Sequence, residues 1–222
     1  MSTLRDLARR RSLRLGVVVA SVAIVASACL PPPAPGDNSN PLPAPSWWSG
    51  SCDSGNYVGA HPLGASFRGV EVCGPRPGAD GAANRLVRFF PGAWGELEWQ
   101  CVELSMRFMY VAYGVSPYGA NGKDVVDNYT TASGGGLVRI GNGTGVAPAA
   151  GDVISFGATG SSPLGHTGVV ESANVDGSGD GTLRILSQND TTDGWRTISV
   201  GNWWVDGTSG GLGVVGGWLH KP

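Results

Sequence analysis

Apolar residues follow three different spacings along this chain. Leu15 to Val25 is almost continuously apolar. From Glu96 to Gly114 the apolar side chains return every three to four residues, with Cys101, Leu104, Phe108, Val111 and Ala112 on one stripe and Ser105 beside them. That is a helical period. Gly114 suits the left-handed residue that stops a helix, and Pro91-Gly92 marks a turn upstream. The pattern predicts a helix starting near Glu98 to Gln100, with Cys101 in its first turn. Past Asp152 the rhythm shortens. Apolar runs at Val153–Phe156, Thr167–Ser172, Leu183–Gln188, Thr197–Trp204 and Leu212–Trp218 are separated by Gly/Asp/Ser turns and read as strands. Residues 115–150 read as a glycine-rich crossover with one short helix at Lys123–Tyr129. No internal repeat is visible.

Composition narrows the class. A chain of 222 residues with 41% hydrophobic and 14% charged residues is too apolar to be disordered. The 37 glycines have no three-residue period, which excludes collagen and fits a loop-rich domain of short strands. Five of the 15 basic residues (Arg5, Arg9, Arg10, Arg11, Arg14) lie in the first 14 positions, so the remainder is distinctly acidic. An acidic domain carries no electrostatic footprint for nucleic acid.

The first segment reads as an address. The arginine-rich start, the short apolar run and Ala26-Ser27-Ala28-Cys29 form the three parts of a secretory signal over residues 1–29. The apolar run is too short for a permanent membrane span. Two processing routes compete: signal peptidase cutting before Cys29, or a bacterial lipobox in which Cys29 is lipidated. Residues 30–46 hold seven prolines between Pro31 and Pro45 and read as an extended spacer, which favours the lipidated form. The expected address is therefore the cell envelope or the exterior, with membrane contact only through that anchor.

An exported chain permits disulfides. Within an N-terminal extension at 47–80, Cys52 and Cys73 enclose a loop whose closure would stabilise the fold by roughly 3 kcal/mol. Other pairings stay open. That pairing leaves Cys101 unbridged. Either it is a small buried hydrophobe, or it is a nucleophile, because the amides and dipole at a helix N-terminus favour a thiolate and can hold an oxyanion. A nucleophile needs a base. His61 and His220 read as solvated residues. His166 opens a strand after a glycine turn, where a sheet edge can face a helix end. Glu171 lies an odd number of residues further along, on the opposite strand face. Asn189, at the end of the next strand, could orient the imidazole, or could simply be a turn residue. No zinc-ligand spacing occurs, and no metal or cofactor is expected.

Trp-Gln-Cys101-Val-Glu-Leu on an aromatic-rich helix, then Pro148-Ala-Ala-Gly-Asp152-Val-Ile-Ser-Phe, then Gly-His166-Thr-Gly-Val-Val-Glu-Ser, then Ile-Leu-Ser-Gln-Asn189, together resemble a CHAP domain. These are cysteine, histidine-dependent amidohydrolases/peptidases of the papain-like/NlpC-P60 superfamily. The resemblance spans roughly Gly81 to His220 and marks 81–222 as the catalytic domain. It implies an α+β fold of papain-like CHAP type, with an early helix carrying the nucleophile packed on an antiparallel, partly barrelled sheet. It implies Cys101 as nucleophile, His166 as base and Asn189 as the third residue. The family often has glutamate two residues before that asparagine, where this chain has Ser187, so imidazole orientation falls to Asn189 with help from Ser187. Gln100 is a candidate oxyanion donor. Trp99 and Trp195 are candidate substrate surfaces, although each would serve equally as core.

The implied chemistry is acyl transfer through a thiolate–imidazolium pair, and the implied partner is peptidoglycan, met by a monomer. The reaction would be that of an endopeptidase or an N-acetylmuramoyl-L-alanine amidase. A non-catalytic wall-binding module on the same fold and an amidase for small amide conjugates are the alternatives.

Overall fold

The computed structural model describes residues 60–75, 86–87, 96–97 and 99–222. The expected signal (1–29), the spacer (30–46), Cys29 and Cys52 lie outside the described residues, and the 47–80 extension is described over 60–75.

That stretch is a hairpin of β1 (Ala60–Phe67) and β2 (Val70–Pro75). A two-residue pair, β3 (Leu86–Val87) with β4 (Glu96–Leu97), precedes the helix α1 (Cys101–Tyr113). A 3-10 turn at Gly122–Asp124 runs into the short α2 (Val125–Asn128). Seven strands follow: β5 (Val138–Gly141), β6 (Val153–Phe156), β7 (His166–Val175), β8 (Gly181–Leu186), β9 (Trp195–Gly201), β10 (Trp204–Asp206) and β11 (Val215–His220). They form one antiparallel sheet in the order β10-β9-β8-β7-β6-β11-β5. The fold is α+β.

Strand alternation builds two cores from this one sheet. Val153, Val169, Leu186 and Leu219 point to one face, where they meet α1 and the β1–β2 hairpin. Their immediate neighbours Ile154, Val170, Ile185 and Trp218 point to the other, against Phe156, Ile198, Val205 and Val215. Both faces are covered, which is why β6 is buried at all four positions. Burial of each large side chain, Trp218 and Phe156 included, contributes about 2–3 kcal/mol.

The second core is enclosed because the sheet curls. Its two outer strands are joined by one side chain. Asn142, immediately after β5, accepts from Val205 N–H of β10 (2.9 Å) and donates to Val205 C=O and Val215 C=O (both 3.1 Å). This amide supplies the hydrogen bonds a further strand would have made. The partly barrelled sheet is closed here by an asparagine.

Candidate active site

The helix α1 starts where the apolar stripe places it. Gln100 is its N-cap in extended geometry, and Cys101 is the first helical residue. Gly114 ends it at φ 69°, a left-handed conformation that costs glycine little. The helix is buried on nearly all sides, so its polar residues need partners. Arg107 and Glu103, one turn apart, form a buried two-point ion pair, with Nε to Oε1 at 2.5 Å and Nη2 to Oε2 at 3.1 Å. Gln188, fully buried just past β8, knits this pair to its surroundings. Its Nε2 donates to Glu103 Oε2 (2.6 Å) and to Gln100 C=O (2.9 Å), while its Oε1 accepts from Cys73 N–H (2.8 Å). The hairpin, the start of α1 and the end of β8 are thus fixed to one amide.

His166 is the first residue of β7 and is 7% exposed. It is set against the 3-10 turn so closely that a Cβ on Gly122 would lie 2.8 Å from His166 Cα. The seam between helix and strand is pinned one step away from both functional groups. Ser105 lies one helical turn after Cys101, Thr167 follows His166, and their hydroxyls are 3.1 Å apart. Cys101, His166, Gln100, Asn189 and Leu164 line a common cavity of 320 Å³. Cys101 is in no disulfide, whereas Cys73 is disulfide-bonded.

The far nitrogen of the imidazole is held by Ser187. His166 Nε2 lies 2.8 Å from Ser187 Oγ, and Ser187 Oγ donates to Asp190 Oδ2 at 2.7 Å. Arg196 clasps the same carboxylate at two points, Nε to Oδ2 and Nη2 to Oδ1, each 2.5 Å. Burial alone would raise the Asp190 carboxyl, but the hydrogen bonds from Arg196 and Ser187 hold it below its ordinary value. It is a carboxylate at neutral pH. Asn189, expected on the ring, instead donates its amide to Gln100 Oε1 at 3.0 Å. The reason is local: Asn189 adopts φ 59°, turning off the strand path after β8, while Ser187 stays in line with the ring.

Burial pushes the His166 imidazole down to about 4, with Asp190 opposing the shift and Arg196 reinforcing it. A neutral ring is the form favoured near pH 7.

Other expected residues fall elsewhere. Trp99 is buried at φ 63° and Trp195 packs beneath the Arg184 guanidinium at 3.7 Å; neither lines the cavity. His220, read as solvated, pairs through Nδ1 with the buried Asp152 at 2.8 Å. Glu171 sits where the β7–β8 register shifts, and its carboxylate accepts from Ser172 Oγ. Among the described residues no cluster of three or more His, Cys, Asp or Glu side chains could hold a metal ion. Sequence reasoning missed Asp190, Arg196 and Gln188. The clue available was the three-residue step from Ser187 to Asp190, hidden in what reads as an Asn-Asp-Thr-Thr-Asp-Gly turn.

The sequence model of the CHAP domain matches residues 92–189. Among solved structures, the chain is similar to the crystal structure of Ly7917, with 20% identity, a TM-score of 0.39, and coverage of 56% of this chain and 54% of that one. The crystal structure of Ly7917 with the hydrolyzing product of MDP matches at the same identity and coverage, with a TM-score of 0.40. The chain spans about half the length of these proteins. No curated protein matches it.

Proposed function

Residues 92–189 carry a CHAP domain, and from that premise we propose that the protein is an exported cysteine hydrolase of peptidoglycan amide bonds. The observation that carries this reading is a cysteine outside any disulfide, at the first position of a helix, sharing one cavity with a histidine whose Nε2 is already engaged.

In the proposed reaction the Cys101 sulfur attacks the amide carbonyl carbon as its proton passes to His166 Nδ1. The oxyanion is held by first-turn amides of α1, which a helix cannot pair internally. Gln100 helps. Asn189 Nδ2 donates to its Oε1 at 3.0 Å. His166 then gives its proton to the leaving nitrogen, the C–N bond breaks, and a thioester remains on Cys101. Water, deprotonated by His166, hydrolyses the thioester, and the proton returns to sulfur. The signal at 1–29, with Cys29 lipidated and 30–46 as tether, would deliver the domain to the envelope. The Cys73 disulfide, with Cys52 as the proposed partner, suits that compartment.

The test is digestion of purified murein followed by mass spectrometry of the fragments. New free amines on stem or cross-bridge residues identify an endopeptidase. Stem peptides released with a free N-terminal alanine identify an amidase. Both sets of products should vanish in Cys101→Ala. Sedimentation with murein but no products from folded protein would replace this reading with a binding module.

A further inference from the structure

We infer that Ser187 and Asp190 form a relay that fixes which imidazole nitrogen of His166 carries the proton, making both of them positioning residues for the hydrolysis proposed above, on which this inference rests. The argument is one of donor counting. A hydroxyl has one proton to give and lone pairs to accept with. The Ser187 proton is committed to Asp190 Oδ2 at 2.7 Å. The acceptor cannot reverse the bond, because its two oxygens are also taken by the Arg196 fork, and Arg196 is in turn anchored through Nη1 to Gly210 C=O at 2.5 Å. Ser187 can then meet His166 Nε2, 2.8 Å away, only as an acceptor. Nε2 must therefore carry the hydrogen, and Nδ1 is left with its lone pair.

A lone pair on Nδ1 is the requirement for taking a proton from a sulfur on the cavity side. Without the relay the Ser187 hydroxyl could rotate and donate to Nε2. The proton would then sit on Nδ1, and the ring could not act as a base there. Ser187 is fully buried, so water does not compete for its hydroxyl. The glutamate that CHAP domains often place at this position is replaced by a hydroxyl with a carboxylate one step further out, and the added link transmits direction as well as charge.

The direct test uses the full-length protein labelled with nitrogen-15 at histidine, with the His166 signals assigned by their loss in His166→Gln. In the unmutated protein near neutral pH, Nδ1 should show the shift of a bare ring nitrogen and Nε2 that of a protonated one. The opposite assignment overturns the relay without any variant having to fold. In Asp190→Asn the two shifts should move toward each other, iodoacetamide should alkylate Cys101 at least tenfold more slowly, and murein turnover should fall in kcat with KM little changed. Ser187→Asp combined with Asp190→Asn places a carboxylate directly on Nε2 and should recover most of the alkylation rate. Shifts and alkylation unchanged in Asp190→Asn would overturn the inference. Ring shifts and alkylation require no murein, so an intact relay in a protein that leaves murein untouched would sink the substrate assignment and leave the relay standing.

Discussion

Ser105 on α1 and Thr167 on β7 share one hydrogen bond in a fully buried seam, and the two ends of that bond are not equivalent. Thr167 Oγ1 donates to Ile154 C=O at 2.8 Å, so Ser105 is the donor in the 3.1 Å contact between the hydroxyls. Ser105→Ala leaves Thr167 still bonded and should cost about 1 kcal/mol. Thr167→Val removes the partner of Ser105 and of Ile154 C=O together and should cost about 2–3 kcal/mol. Urea midpoints of the two variants test the asymmetry. Equal losses would show that the seam is not organised by this bond.

Gly122 is the point of closest approach to the histidine backbone. An ideal Cβ there meets His166 Cα at 2.8 Å and its N and C atoms at 2.9 Å, all of them backbone atoms that cannot swing aside. Gly122→Ala should push the strand start outward, lower stability by about 1–3 kcal/mol and cut murein turnover by up to about 100-fold through displacement of the ring. Gly119→Ala is the control: nothing lies within 4 Å of its added Cβ, so activity should be retained.

The Arg107–Glu103 pair is buried to 1% and 2% exposure and carries Gln188 on its outer side. Arg107→Met should cost about 3–5 kcal/mol, because it leaves a carboxylate buried without its cation. Glu103→Gln added to Arg107→Met should recover part of that loss, because the stranded charge is gone. A double-mutant cycle by chemical denaturation reads the coupling directly.

Acid should weaken the fold through His166. Its folded pKa of about 4 lies below the ordinary imidazole value of 6.5. Between those values the unfolded chain binds a proton that the folded ring refuses, so stability rises with pH across that window and is level above it. Asp190 and Arg196 are the charges acting on the ring. Going from pH 7 to pH 4.5, the unmutated protein should lose roughly 2 kcal/mol more than His166→Gln. Parallel losses in the two proteins would contradict a buried, neutral imidazole.

Much of this arrangement was legible in the sequence, and the gaps have physical causes. The stripe from Cys101 to Ala112 and the Gly114 stop located α1, and the glycine before His166 located the start of β7. The crossover was read too loosely, because β5 (Val138–Gly141) is exposed along half its length and glycine-flanked, so it has no alternation to display. The run Thr197–Trp204 broke into β9 and β10 because Asn202 and Trp203 both take positive φ, which suits a tight hairpin turn but is unusual for tryptophan. Strand alternation puts Asn189 on the face of the ring. The strand ends at Leu186, and past that point alternation no longer decides where a side chain goes. Asp190 stayed hidden because an aspartate in a turn is ordinary, and what distinguishes it is a guanidinium six residues away on β9.

The Asn142 amide has a bearing on how copies of this molecule meet. It engages the N–H and C=O of Val205 on one marginal strand from the loop that leaves the other. Groups of that kind are where an intruding strand would zip on and template a ribbon. With that site occupied from within and the marginal strands only 3 and 4 residues long, the sheet offers scant purchase for self-propagating aggregation. The same asparagine that completes the curl therefore closes the Val205 backbone to an intruding strand.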